Sequence, residues 1–347
     1  MILLLLLLGV LSLHGIRFSA FHSDYLGRDQ TTAIKGIFSL LIVLSHMNGY
    51  LHMTSAWNRV YIFLINLVGQ LMVTMFLFYS GYGVLESHRT NSDYVNTFFR
   101  KRFLKVLLHF DLAVGLFAVL NLILGISYPL KEYFLCWTAW GSIGNSNWFI
   151  FDTLVFYLLT LFCMQFCRKV KAGEKVLCTM VTVLCLIFWY VLKSIRGTES
   201  WWYDTVFCYP VGMWYSTMKH RIDSIARKTS SWVIGLLLLL GSFVFLYLRW
   251  DVVSYSICAG VFCVLVVWIT MKVKLDNSVL HWLGVHSFSI YILQRLPMIV
   301  LTHFGWNDKP LVFATLSIAA ILPLAAGFTR VLNAVDSQFL FWRYRNA

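Results

Sequence analysis

Apolar stretches recur along the chain at the length a bilayer demands, separated by short polar loops. They fall near residues 34–51, 60–85, 104–126, 148–167, 176–192, 202–218, 232–249, 252–271, 279–303 and 311–331. Each is close to the roughly 20 residues a helix needs to cross about 30 Å of hydrocarbon. A further stretch, residues 2–20, opens with MILLLLLLGVLSL. It has neither the basic start of a secretory signal nor a small-residue cleavage site after it, so it is read as a retained helix. The pattern predicts an all-α, polytopic transmembrane bundle of about eleven spans. No internal repeat or low-complexity linker breaks it, and five prolines leave little punctuation for a boundary. Residues 1–347 are therefore read as a single membrane domain.

Composition agrees with the pattern: 59% of residues are hydrophobic and 12% charged, with mean hydropathy +0.74, which leaves no room for a sizeable soluble domain. Charge adds direction. One set of alternate loops carries 21 of the 28 Lys and Arg, running from Arg17 and Arg28 through Arg100 to Lys105, Arg168 to Lys175 and Lys219 to Lys228, to Lys274 and Arg345. The other set carries six, and Arg295 lies inside a span. Short cytoplasmic loops are enriched in Lys and Arg, so the expectation is a multi-pass cell-membrane protein with its N-terminus outside and its C-terminus cytoplasmic. The net charge of +13 then reports topology, which argues against nucleic acid as a partner. Eight cysteines sit in or beside apolar runs with no Cys-x-x-Cys pair and no histidine at metal spacing. They are expected to behave as small hydrophobes, with no metal site.

Within the second run, KGIFSLLIVLSH places Lys35 and His46 eleven residues apart. That is close to three turns, so both lie on one helix face about 16 Å apart along the axis. Lys35 is expected at the cytoplasmic surface and His46 near mid-depth. Ionisable groups inside lipid are expensive and point to function; the plainer reading is a histidine bonded to a neighbouring helix.

Four motifs in order resemble the acyltransferase 3 family of integral membrane acyltransferases, many of which O-acetylate cell-surface carbohydrates. The first is KGIFSLLIVLSH, with Lys35 where the family more often has Arg. The second is FLFYSGYGVL, containing Ser80, Gly81 and Tyr82. The third is FFRKRFLKVL, whose Arg102 and Lys105 are similar to the family's Arg-x-x-Arg. The fourth is LGVHSFSIYILQRLP, where Gln294 stands in place of a late histidine. The resemblance covers a core of about residues 30–335, and the helix of residues 1–20 is additional to the ten spans usual for the family.

What the resemblance implies is transfer of an acetyl group from cytoplasmic acetyl-CoA to a hydroxyl of a surface glycan or its lipid-linked precursor, without a metal. Acyl transfer needs a base for the hydroxyl proton and a stabiliser for the oxyanion. His46 is the candidate base, or else a covalent carrier of the acyl group, and Lys35 would hold the donor beneath it. Arg102 and Lys105, with Arg100 and Lys101 beside them, are the candidate contacts to the CoA phosphates. Asp152, Trp148, Gln294, Arg295 and Ser80 are candidate substrate-binding or supporting residues. Asp152 would orient His46, bind acceptor hydroxyls or bond a neighbouring helix, and Arg295 would neutralise it. The tryptophans of 137–148 and 201–202 read as an outer interfacial belt with a share in acceptor binding. Partners would be the acyl-CoA, a carbohydrate, membrane lipid and polysaccharide-biosynthesis proteins. A transporter or flippase of polysaccharide precursors is the rival reading, against which stands the lack of two halves with matching broken helices.

Overall fold

Helices follow the apolar runs in the computed structural model, which describes residues 1–340. In chain order they are α1 (Ile2–Leu13), β1 (Ile16–Phe18), α2 (Arg28–Met47), α3 (Ala56–Val68), α4 (Leu71–Thr90), α5 (Tyr94–Phe98), a π-helical turn at Phe99–Leu104, α6 (Lys105–Leu124), α7 (Leu130–Cys136), α8 (Trp148–Val170), α9 (Glu174–Arg196), α10 (Cys208–Ala226), α11 (Thr229–Tyr247), α12 (Val252–Thr270), β2 (Val273–Leu275), α13 (Ser278–Val285), α14 (Ser287–Leu293), α15 (Arg295–His303) and α16 (Pro310–Val335). Among the described residues, eight helical stretches are long and apolar enough to cross a membrane. A ninth is gained by counting α13 with α14–α15, which meet at a 60° bend. The protein is a multi-pass helical membrane protein.

Two of the eleven expected spans account for the difference. The leucine-rich start forms only the 12 residues of α1, about 18 Å of helix, well short of the hydrocarbon thickness. It stops because the Asn277 amide donates to the carbonyls of Leu11 and His14 at 2.8 and 3.1 Å. The chain then reverses at Gly15, where φ is +77° and a side chain would run into the Asp276 carbonyl. Residues 16–18 pair antiparallel with 273–275, Arg17 facing Lys274. The other exception is α10, which is long enough but carries Lys219, His220, Arg221 and Asp223 in its second half. It packs inside the bundle on α4.

Contacts between loops divide the bundle into two ends. At one end, Lys274 donates to Asp24 (2.8 Å), and Tyr25 and Lys219 both donate to Asp223 (2.6 Å each). Arg89 pairs with Glu174, Arg168 donates to Asn96 (2.7 Å) and Lys105 pairs with Asp336 (2.5 Å). These are the loops in which the sequence concentrates Lys and Arg; Arg343 and Arg345 lie outside the described residues. At the opposite end His52 meets Asp308 (2.9 Å), Tyr247 donates to the Leu67 carbonyl (2.7 Å) and the Tyr255 hydroxyl accepts from the Gln70 N–H (3.1 Å).

Between the ends, helices meet through glycine. A Cβ on Gly36 of α2 would lie 2.0 Å from the Leu280 carbonyl oxygen, and one on Gly284 of α13 would lie 1.8 Å from that of Thr32. Gly81 of α4 and Gly212 of α10 make the same kind of contact, at 2.0 Å from Tyr209 O and 2.1 Å from Phe78 O. Lipid provides no hydrophobic drive between helices, so such backbone approach is where membrane helices gain packing energy. All eight cysteines are buried and free.

Replacing Gly284 by Ala should therefore separate α2 from α13. Overpacking against a side chain costs about 1–3 kcal/mol, and a backbone carbonyl yields less readily. Thermal unfolding in detergent is expected to shift down by several degrees for Gly284→Ala and Gly36→Ala. Gly83→Ala, with nothing within 4 Å of the added carbon, should leave it in place.

Candidate active site

The helix α2 begins at Arg28, earlier than the apolar run suggests. Thr31 closes its first turn by donating to the Gly27 carbonyl at 3.0 Å. Two positions shift as a result. Lys35 stands two turns inside α2 and not at its surface end, and His46 stands in the last turn and not midway. The imidazole is thus near the end of the bundle opposite the basic loops.

Around it, α14 and α15 supply the neighbours. The Tyr291 ring lies 6.4 Å from the His46 ring, and the Phe149 ring of α8 lies 5.3 Å beyond Tyr291. The Gln294 side chain and the Arg295 charge both act on the imidazole. Gln294 is fully buried at the junction of α14 and α15, its amide donating to the Tyr291 carbonyl at 2.9 Å. Arg295 makes no ion pair among the described residues; its charge faces the hydroxyls of Tyr50, Tyr128 and Tyr291. Four buried polar atoms here, His46 Nδ1, Tyr291 OH, Gln294 Oε1 and Arg295 Nε, make no hydrogen bond of regular length and angle among the described residues, while Gln294 lies close enough to act on the imidazole and Arg295 on the Tyr50 hydroxyl. Buried polar groups are almost always paired, so these atoms are free to bond a substrate or water. His46 itself keeps some accessible surface. One turn before it on α2, Ile42 borders a small apolar cavity that Tyr291 also lines.

This arrangement has the parts acyl transfer requires. An imidazole can take a hydroxyl proton, while a tyrosine hydroxyl and a guanidinium are donors for a developing oxyanion. Tyr291 lies inside the Ser-Phe-Ser-Ile-Tyr segment of the fourth motif, where its spacing from Gln294 on one helix was a usable signal. Tyr50, four residues after His46, lies beyond the end of α2 and gave none.

The basic candidates form a second cluster. Arg102 sits in the π-helical turn and donates from Nε to the Tyr94 hydroxyl at 3.1 Å. Its charge also faces Tyr157, whose hydroxyl is 3.0 Å from Ser80 Oγ. Ser80 therefore serves the Arg102 cluster rather than the His46 one. Arg100 and Lys101 share the turn and are partly buried. Lys105 is engaged by Asp336, which also holds His109 Nε2 at 2.7 Å. No hydrogen bond or ion pair joins Arg102 or Lys105 to Lys35 or His46 among the described residues.

Asp152 is fully buried with both carboxylate oxygens unpaired, and its charged neighbours are Asp204 and Arg196. Among the described residues it makes no hydrogen bond to His46 and no ion pair with Arg295, so neither of those two pairings is present. Arg196 instead lies between the Trp140 and Trp202 rings, 3.8 and 3.6 Å from their centres. Those two tryptophans clamp a cation, and of the group only Trp137 and Trp201 are openly exposed. Trp148 is half-buried with its ring 6.1 Å from Phe149. Among the described residues no group of His, Cys, Asp or Glu is arranged to hold a metal ion.

The structure is a multi-pass helical bundle in which an imidazole, a tyrosine ring, a guanidinium and a small apolar cavity lie close together. The chain belongs to the acyltransferase 3 family: the family's acyltransferase domain matches residues 30–330. It is an acyltransferase. No curated protein and no solved structure matches the chain.

Asp204, next to Asp152, lies outside the spans and is 4% exposed; burial pushes its carboxyl up to about 8. The folded protein then keeps a proton that the unfolded carboxyl, near 3.9, has released. Stability should fall as pH rises from about 4 through about 8. Unfolding midpoints in detergent are expected to be lower at about pH 9 than at about pH 6, and Asp204→Asn should shrink that difference.

Proposed function

We propose that the protein acts as a single membrane domain that transfers an acetyl group from cytoplasmic acetyl-CoA to a hydroxyl of a cell-surface glycan or its lipid-linked precursor. The observation that carries this reading is the set of unpaired buried atoms around His46. The basic end of the bundle faces the cytoplasm in this reading, which puts the N-terminus outside and the C-terminus inside. Coenzyme A is then available on the side where Arg102, Arg100 and Lys101 cluster, and its phosphates are bound there. Lys105 contributes through the charge it shares with Asp336. Lys35, without an ion pair among the described residues, holds the donor partway along α2. From Lys35 to His46 is about 16 Å along the helix axis, a span for the extended pantetheine arm.

At His46 the acceptor hydroxyl, arriving from the opposite end, gives its proton to the imidazole as its oxygen attacks the thioester carbonyl. Tyr291 and Arg295 donate to the oxyanion. Collapse of the intermediate expels the CoA thiolate, which recovers the proton from the imidazolium. Gln294 orients the ring, and the neutral imidazole is the form that accepts the proton in this step. Asp152 and Trp148, near the outer end of α8, are supports for the acceptor side.

The test is transfer of label from acetyl-CoA into glycan or glycolipid by membrane vesicles. His46→Ala should lower the rate by about 100-fold or more, the usual contribution of a positioned acid–base group. Arg102→Ala should raise KM for acetyl-CoA by about tenfold with a smaller change in kcat, as expected for a lost charge-assisted bond. Equal product from His46→Ala and the unaltered protein would remove this reading. Movement of glycolipid without CoA would favour transport.

A further inference from the structure

The cavity bordered by Ile42, one turn before His46 on α2, has a volume of about 60 Å³ and is walled also by Val73, Phe76, Phe149, Ser287, Phe288 and Tyr291. It is less than half the roughly 150 Å³ of an apolar cavity that accepts benzene. Its walls are braced. Phe76 packs edge-on against Phe149 at 6.1 Å and 75°, and Phe149 against Tyr291 at 5.3 Å and 67°. Tyr291 in turn abuts the His46 ring. Phe288 is held by the His109 ring at 5.9 Å, and His109 is anchored by Asp336. Val73 is 5% exposed in the first turn of α4. A row of locked rings thus leads from the cavity to the imidazole, and none can yield without disturbing the next.

We propose that this cavity seats the hydrocarbon part of the acyl group during transfer, and that Val73, Phe76 and Phe288 set its upper length at about three carbons. The inference rests on acyl transfer at His46 as proposed above. The chemistry fits. The thioester carbonyl must lie beside His46, Tyr291 and Arg295, and the acyl chain must then point into an apolar space within one turn of Ile42. Acetyl or propionyl fills that space, whereas a longer chain collides with Phe76 or Phe288. An acyl group bearing a carboxylate, such as succinyl, would place a charge among phenyl rings with only the Ser287 hydroxyl in the wall, and is disfavoured.

The experiment measures transfer from acetyl-, butyryl- and hexanoyl-CoA by membrane vesicles carrying the unaltered protein, Phe76→Leu, Val73→Ala, Phe288→Leu or Val84→Ala. Val84 is buried in the same helix, α4, away from the cavity. The unaltered protein should prefer acetyl to hexanoyl by about 100-fold or more, since each poorly fitted methylene carries roughly tenfold or greater discrimination. The enlarged variants should raise the hexanoyl-to-acetyl ratio at least about tenfold, and Val84→Ala should not. An unaltered ratio in all three enlarged variants, or equal use of acetyl and hexanoyl by the unaltered protein, overturns the proposal. So does complete loss of transfer in all three with unchanged melting behaviour, because room added to a chain pocket should not abolish use of the short chain. An unaltered protein that transfers nothing from any of the three thioesters defeats acyl transfer at His46 itself, a different result from an unmoved ratio.

Discussion

The backbone contact between α2 and α13 through Gly36 and Gly284 is the constraint on which the rest depends. With Cα hydrogens in place of side chains, the Thr32 and Leu280 carbonyls sit where a Cβ would otherwise be. This fixes the height and rotation of α2. Because α13 is joined to α14 at a 60° bend, it also fixes where α14 starts its run alongside α2. Tyr291, Gln294 and Arg295 then arrive at the last turn of α2, where His46 is. A shift of either helix by one residue would rotate the imidazole by about 100° away from them.

The four motifs come together in pairs. The first and fourth share α2, α13 and α14, with Gly36 against Gly284 and His46 beside Tyr291. The second and third share Ser80, Tyr157 and Arg102, joined by hydroxyl contacts across α4 and α8. Arg102 lies in a widened π-helical turn, a geometry that recurs at functional sites because it displaces side chains from the regular helical register. The two pairs are coupled by the packing of α4, whose Gly81 leans on α10 while its first turn, with Val73, reaches the cavity shared by Ile42 and Tyr291.

Much of this was legible from residue order. The apolar runs mark nearly every helix, and the alternation of basic and non-basic loops corresponds to the two ends tied together by ion pairs. His46 was visible as an ionisable group in an apolar run. What was not legible depends on long-range partners. The strand at 16–18 exists because residues 273–275 are beside it, and α1 stops where Asn277 caps it. An interior helix such as α10 tolerates Lys219 and Asp223 because Tyr25 and each other satisfy them. Asp336, just past the last long helix, holds both Lys105 and His109, more than 200 residues away in the chain. Asp152 was seen as polar and buried, but its neighbours Asp204 and Arg196 come from segments some 50 residues further on, a relation no local spacing encodes.

The unpaired atoms around His46 set the energetic character of the site. Leaving a buried donor or acceptor unpaired costs about 1–3 kcal/mol each. Four such atoms around one ring are a burden that packing elsewhere must offset, and the glycine-mediated contacts of α2 and α4 supply that rigidity. In the proposed reaction this arrangement would lower the barrier, because these groups are already oriented before any substrate arrives. A guanidinium with no carboxylate beside it is most strongly stabilised when negative charge forms next to it, which happens as a carbonyl becomes an oxyanion. Had Arg295 paired with Asp152, that charge would have been neutralised in the resting protein and the differential stabilisation lost. In the proposed mechanism the separation of Asp152 toward Arg196 therefore matters as much as the proximity of Arg295 to His46.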